Sequence, residues 1–207
     1  MVKRLNRSIK LAINKQIKND RDLNSQARLI IEKQFRVIKQ KMLSEFESHP
    51  VTRELKAGSG SSNITNSLDE GNLYGFIGFE AGSDPTEDIF FLLQKTNILI
   101  KKRMIGRMGF IWTYMITSPS LRDLYKVTPM PWARGSSWLQ ELEGRGIPNI
   151  GQYMYKQINS SRSQAGFQSK NRSSGGSLKI PYVKKMLLDF ENDLNTIEAS
   201  KVSAKNF

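Results

Sequence analysis

Residues 98–116 read ILIKKRMIGRMGFIWTYMI, and this stretch carries the clearest secondary-structure signal in the chain. β-Branched and aromatic side chains, which strands prefer, recur on both sides of a central Gly106-Arg107 that can form a turn. The stretch therefore predicts a β-hairpin. One face of the return strand would carry Met108, Phe110, Trp112, Tyr114 and Ile116.

Amphipathic helices are predicted towards both ends of the chain, because apolar residues recur there at steps of three and four. The first helix is expected to begin at Asn24 or Ser25 and to stop before His49-Pro50, since a residue that precedes proline avoids the α region. The last helix follows Ile180-Pro181. The first stripe contains Leu23, Ala27, Ile30, Ile31, Phe35, Ile38, Met42 and Phe46, and the last contains Val183, Met186, Leu187, Phe190, Leu194 and Ile197.

Shorter elements are predicted between the first helix and the hairpin. The Gly-, Ser- and Asn-rich stretch 58–67 predicts a flexible loop, and it lacks the Lys-Ser/Thr ending of a phosphate-binding loop. Residues 73–79, LYGFIGF, predict a strand. Ser83-Asp84-Pro85 signals a helix start, after which Glu87 and Asp88 suit the positive end of the helix dipole.

These elements predict an α+β fold with a long N-terminal helix, a small and mostly antiparallel sheet and a C-terminal amphipathic helix. We divide the chain into an N-terminal helical arm (1–48), an α+β core domain (49–199) and a polar tail (200–207). The core domain includes a Ser-, Gly- and Arg-rich stretch at 159–178, which predicts a flexible loop that is too long for a simple connector.

The composition argues against an enzyme. The 207 residues include no cysteine and one histidine, His49, so disulfides, thiolate metal sites and most zinc chemistry are excluded, and we expect no cofactor. A carboxylate Mg²⁺ site built on Asp84, Glu87 and Asp88, with Lys95 or Lys101 nearby, stays open. We favour an acidic helix N-terminus over that site, and a helix-end role for His49 over a catalytic base.

Charge is distributed unevenly along a chain whose net charge is +13. Residues 1–47 contain 12 basic and 5 acidic residues, whereas residues 69–88 contain six acids and no base. Between Glu143 and Asp189 there are eight basic residues and no acid. A chain with basic ends and an acidic middle can bind a polyanion, or it can bind other copies of itself.

The loop 159–178 is the strongest candidate for such contacts. Its basic residues have no acidic partner within the loop, and Phe167 lies among them. This pattern is typical of a nucleic-acid-binding arm and equally of an assembly loop that orders against a neighbouring subunit. We therefore assign six residues to a subunit interface or a DNA-facing surface: Arg162, Lys170, Arg172, Asp84, Glu87 and Asp88.

No membrane segment is expected, because no apolar run approaches 18 residues and the basic N-terminus lacks the apolar core of a signal peptide.

Four segments, in order, carry a resemblance to a known group of proteins. They are HPVTRELKAG (49–58), GNLYGFIGFEAGSDP (71–85), PWARGSSWLQELEGRGI (131–147) and SLKIPYVKKMLLDFENDL (177–194). With the long front helix and the aromatic hairpin, they resemble small virion proteins of tailed bacteriophages, of the neck and tail-completion group. Neck subunit, tail terminator and baseplate-proximal protein all stay open.

The resemblance implies a structural protein without enzymatic activity, which forms a homo-oligomeric ring in the neck or tail. It implies contacts with other neck, tail or connector proteins, proximity to packaged DNA, and residence in the virion after assembly in the host cytoplasm. The alternative, from another class, is a basic nucleic-acid-binding module.

Overall fold

A computed structural model describes residues 21–68, 71–105, 109–133, 135–144 and 180–199. The chain divides into two compact units. The larger unit comprises Lys41–Lys95 and Pro119–Asn192, and the smaller comprises Met1–Gln40, Thr96–Ser118 and Asp193–Phe207. The loop 159–178 and the tail 200–207 lie outside the described residues.

Helix α1 (Arg21–Ser48) ends where the sequence predicts, because His49 before Pro50 is extended, with φ −60° and ψ 135°. Residues 21–23 are already helical, ahead of the predicted start at Asn24 or Ser25, since neither Arg nor Asp at 21–22 breaks a helix. Within the predicted stripe, Phe35, Met42 and Phe46 are buried and Ile31 and Ile38 are half-buried, which confirms that these five residues face inward. The inclusion of Ile30 is wrong, because its side chain is 51% exposed. The side chain of Ala27 lies outside the described residues.

The smaller unit contains the predicted hairpin. Strand β1 (Asn97–Ile105) pairs antiparallel with strand β2 (Gly109–Thr117), so that Ile98 faces Ile116 and Leu99 faces Met115. This pairing forms a sheet of two strands among the described residues. The side chains of residues 109–114, including the predicted aromatic face, lie outside them.

The larger unit is helical over its described residues. Its elements are α2 (Pro50–Lys56), a 3₁₀ turn (Gly58–Gly60), α3 (Leu73–Ile77), α4 (Glu87–Gln94), α5 (Leu121–Lys126), α6 (Trp138–Glu143) and the first part of α7 (Val183–Ala199). Ser120 and Ser137 cap α5 and α6 by accepting hydrogen bonds from Asp123 N and Gln140 N. Helices and one antiparallel hairpin together confirm the α+β class.

Residues 73–79 correct the sequence prediction, because they contain helix α3 and no strand. The side chain of Asn72 accepts a hydrogen bond from Gly75 N at 2.8 Å and so caps the start of the helix. Gly78 ends it in the left-handed region, at φ +86°, which favours glycine. The alternating aromatic and glycine residues thus fit a short capped turn rather than a pleated strand.

Aromatic side chains form the centre of the larger unit's core. Phe46 from α1 is fully buried, and its ring stacks on Phe90 at 6.1 Å and on Tyr182 at 5.7 Å between centroids. Phe79 packs edge-on against Trp138 at 5.6 Å. These contacts join residues far apart in the chain, so the core holds α1, α4 and the start of α7 together.

None of the helices described is both long and apolar enough to cross a membrane.

Candidate subunit interface

The acidic cluster, defined as Asp84, Glu87 and Asp88, lies exposed at the start of α4. Asp84 Oδ1 accepts hydrogen bonds from Thr86 N at 2.8 Å and from Thr86 Oγ1 at 2.6 Å, which fixes the turn that leads into the helix. Glu87 and Asp88 occupy the first helical turn, as the sequence predicts. None of the three carboxylates forms an ion pair with a described residue.

Among the described residues, the nuclease arrangement considered from the sequence is not assembled around this cluster. Lys95, expected beside the acids, is the C-cap residue of α4 and therefore lies at the opposite end of that helix. Over the part of the chain that is described, no group of three or more His, Asp or Glu side chains is arranged to hold a metal ion. The side chain of Lys101 lies outside that part.

The basic loop residues Arg162, Lys170 and Arg172 lie outside the described residues, so their contact with the acidic cluster stays a prediction. The chain on either side of residues 145–179 is nevertheless joined. Ile180 N donates to Leu142 O at 3.1 Å, and Lys184 N donates to Glu143 Oε1 at 2.7 Å. The two ends of this long segment therefore emerge close together from the larger unit.

Glu143 acts at this junction as a cap for α7, although it belongs to α6. Burial raises the pKa of its carboxyl group, and hydrogen bonds with the backbone of Lys184, Tyr182 and Val183 act in the opposite direction. Oε1 accepts from Lys184 N, an N–H group at the start of the helix, where negative charge is favoured. Oε2 is buried without a hydrogen-bond partner among the described residues.

His49 is a structural residue at a helix end, as the sequence predicts. Its Nδ1 accepts a hydrogen bond from Val51 N at 3.2 Å and caps α2. Its ring packs on that of Tyr182 at 4.7 Å between centroids. Burial, followed by the nearby charge of Lys185, lowers the pKa of His49, while a hydrogen bond with the backbone of Pro181 raises it.

Tyr182 also has a structural role, in the core of the larger unit. Its hydroxyl lies 2.6 Å from Thr52 Oγ1, and both residues are buried. Burial strongly raises the pKa of Tyr182, so the phenol stays neutral.

Glu54 is a fully buried carboxylate that the sequence does not single out. Oε2 accepts from Thr65 N at 2.7 Å, and Oε1 accepts from Leu73 N at 2.6 Å. Both oxygens are thus occupied by backbone donors, which fasten the Gly- and Ser-rich loop and the start of α3 to α2. The loop predicted to be flexible is hydrogen-bonded to its surroundings, also through Asn72 Nδ2, which donates to Ser61 O at 2.8 Å.

An exposed aromatic and basic surface on α4 and α2 is the feature that sequence reasoning missed. The side chain of Phe91 is 55% exposed, and Lys95 Nζ lies 4.1 Å from its ring centroid. On the neighbouring residue Phe90, Lys56 Nζ lies 5.5 Å from the ring centroid. Residues 89–93 read IFFLL, and five consecutive apolar residues do not indicate which of the two phenylalanines is exposed.

The smaller unit also exposes apolar side chains. They are Leu29, Ile30 and Val37 on α1 and the facing pair Leu99 and Met115 on the hairpin.

No protein-family model, curated protein or solved structure matches the chain. The candidate interface is therefore argued from its own chemistry.

Proposed function

We propose that the chain is a structural subunit of a bacteriophage neck or tail ring and joins the tail to neighbouring virion components. One observation supports the proposal most directly: the larger unit exposes an acidic cluster, which lacks ion-pair partners among the described residues, and also exposes basic residues. Surfaces of opposite charge on one subunit suit heterologous contacts, in which one face meets a different face of the next copy and a ring can close.

The long basic loop serves this function as an assembly arm. The residues that bracket the segment 145–179, which contains this loop, are hydrogen-bonded to each other beside α6, so the segment leaves and rejoins the larger unit at one place. The charges Arg162, Lys170 and Arg172 then contact either acidic residues of a neighbouring copy or the phosphates of packaged DNA. Reversing these three charges to Glu separates the alternatives: loss of assembly indicates the first, and loss of DNA retention with normal assembly indicates the second.

A basic nucleic-acid-binding module is the second candidate. The observation in its favour is charge: the net charge is +13, and residues 96–118 of the smaller unit contain four basic residues and no acid. Such a module neutralises phosphates, so its affinity for DNA falls steeply as salt rises.

Sedimentation velocity on the purified chain over a range of protein concentrations tests the proposal. A ring subunit gives one discrete species whose mass is a whole multiple of 23.6 kDa. Adding a lysate of phage-infected cells should move the protein into larger particles. A monodisperse monomer at all concentrations, with tight and salt-sensitive DNA binding, would instead identify the nucleic-acid-binding module.

A further inference from the structure

Helix α4 exposes a large aromatic side chain between opposite charges. Ile89 and Leu93 are fully buried and fix its inner face, whereas Phe91 faces solvent. Glu87 precedes Phe91 by four residues, and Lys95 follows it by four, so all three lie along one face of the helix. Over about 12 Å of helix, the surface therefore changes from acidic to aromatic to basic.

Helix α2 places further basic residues beside α4. Lys56 lies over Phe90, and Arg53 is exposed one turn earlier on the same helix. Arg53, Lys56 and Lys95 form no ion pair with a described residue. We call Arg53, Lys56, Phe91 and Lys95 the basic-aromatic surface.

Stabilisation of the helix itself does not explain the arrangement. Acids at the start of a helix and lysine at its end do suit the helix dipole. That effect, however, gives no reason to leave a phenylalanine more than half exposed between them. Exposed aromatics flanked by cations are instead typical of the residues that dominate binding energy at protein interfaces.

The charge pattern favours a protein partner over a nucleic acid. A polyanion bound at Phe91 would meet Glu87 and Asp88 within one helical turn, and their like charge would repel its phosphates. The fitting partner must present acidic groups to Lys56 and Lys95 without extending over the carboxylates. A second copy of this chain offers such groups in its own acidic cluster.

We propose that the basic-aromatic surface of one copy binds the acidic cluster of a second copy. The contact is heterologous, because the basic-aromatic surface and the acidic cluster are different patches of one subunit, so each copy can engage two neighbours. This inference rests on the proposed ring function and names the surfaces that form the ring contact. It also leaves the loop charges at 162–172 available for DNA phosphate.

Two charge-reversed variants of the full chain test the pairing. The first, K56E/K95E, makes the basic-aromatic surface acidic, and the second, E87K/D88K, makes the acidic cluster basic. Each alone should lose self-association by at least about tenfold, because like charges then face each other. Mixed in equal amounts, the two variants should assemble again, since each supplies what the other lacks.

Three measurements accompany the mixing experiment. F91A should weaken self-association of an otherwise unchanged chain. The matched control K33E/R36E reverses two exposed charges on α1 and should assemble like the parent. Because every altered side chain is exposed, all of these variants should stay folded. The reversed charges at the ends of α4 oppose the helix dipole, so E87K/D88K and K56E/K95E should melt at slightly lower temperatures than the parent.

The outcomes separate this inference from the proposed function. If both reversed variants assemble as the parent does, or if the mixture stays monomeric, the pairing is wrong while the ring function stands. If the parent is monomeric at every concentration and at low salt, both are wrong. Loss of DNA binding in K56E/K95E, with self-association unchanged, would assign the surface to nucleic acid and overturn the pairing.

Discussion

The segment 49–79 and helix α4 use their polar side chains in opposite ways. In the segment, Glu54, Asn72 and His49 direct their acceptor atoms at backbone N–H groups of the same unit. On α4, Glu87, Asp88 and Lys95 face solvent. A polar group that is satisfied internally stabilises the fold, whereas an exposed one is available to a partner. The difference separates the internally bonded residues of the segment from the candidate interface, to which the segment contributes only the exposed Arg53 and Lys56.

The largest contrast should come from two phenylalanines that are truncated identically. Phe46→Ala removes a fully buried ring that packs on Phe90 and Tyr182, and should cost about 3–5 kcal/mol of unfolding free energy. Phe91→Ala removes an exposed ring and should cost less than about 1 kcal/mol. Urea denaturation of both variants measures the difference. Comparable losses would mean that α4 does not have the inner and outer faces described.

Two glutamates provide the next contrast. Glu54→Ala leaves the N–H groups of Thr65 and Leu73 without their acceptor and should cost on the order of 3 kcal/mol. Glu87→Ala removes a favourable interaction with the helix dipole alone and should cost less than about 1 kcal/mol.

Amide hydrogen exchange locates the effect of Glu54. The amides of Thr65 and Leu73 should lose protection in Glu54→Ala and keep it in Glu87→Ala. Unchanged protection at both amides in Glu54→Ala would show that the buried carboxylate does not fasten the loop.

The same contrast explains which elements could be predicted from the sequence. Helix α1, the hairpin and α7 were predictable because a period of 3.6 or 2 is maintained over many residues. Helix α3 was not, because five residues are too short to show a period and Tyr74 and Phe76 favour strands. The role of Glu54 depends on partners 11 and 19 residues away, and no local pattern encodes them.

The candidate site also has one part with a local sequence signal and one part that depends on residues far apart in the chain. The acidic cluster was predictable, because helix-start chemistry is local to Asp84 and the residues that follow it. The basic-aromatic surface was not, since it joins α4 to α2 across more than thirty residues of sequence and Phe91 is one of five consecutive apolar residues.

His49 should make the stability of the scaffold depend on pH. Because its pKa is lowered in the folded state, the unfolded chain binds a proton more readily below the ordinary value of 6.5. The contribution of His49 to the free energy of unfolding should therefore be present in full above that pH. It should decrease as the pH falls from about 6.5 towards the lowered pKa. Protonation also removes the Nδ1 lone pair that accepts from Val51 N.

His49→Asn is the matched variant, since asparagine is a good N-cap but does not titrate. It loses the ring that packs on Tyr182 and should therefore be less stable than the parent by about 1 kcal/mol near neutral pH. The gap should narrow as the solution is acidified. Glu143, whose raised pKa favours folding in acid, is present in both chains, so its contribution cancels in the difference. Parallel stability curves from pH 8 to 5 would refute a role for His49 titration.

The smallest expected effect concerns catalysis: substitution of the exposed acids should not change nuclease activity. A metal-dependent nuclease brings several carboxylates and a basic residue to one point. Here Asp84 is hydrogen-bonded to Thr86, Glu87 and Asp88 face solvent, and Lys95 lies at the far end of α4. The parent and the triple variant D84N/E87Q/D88N should therefore give the same background on DNA, with Mg²⁺ and with Mn²⁺. Cleavage by the parent that is lost in the triple variant and abolished by EDTA would overturn both this prediction and the assignment of the acidic cluster to a subunit contact alone.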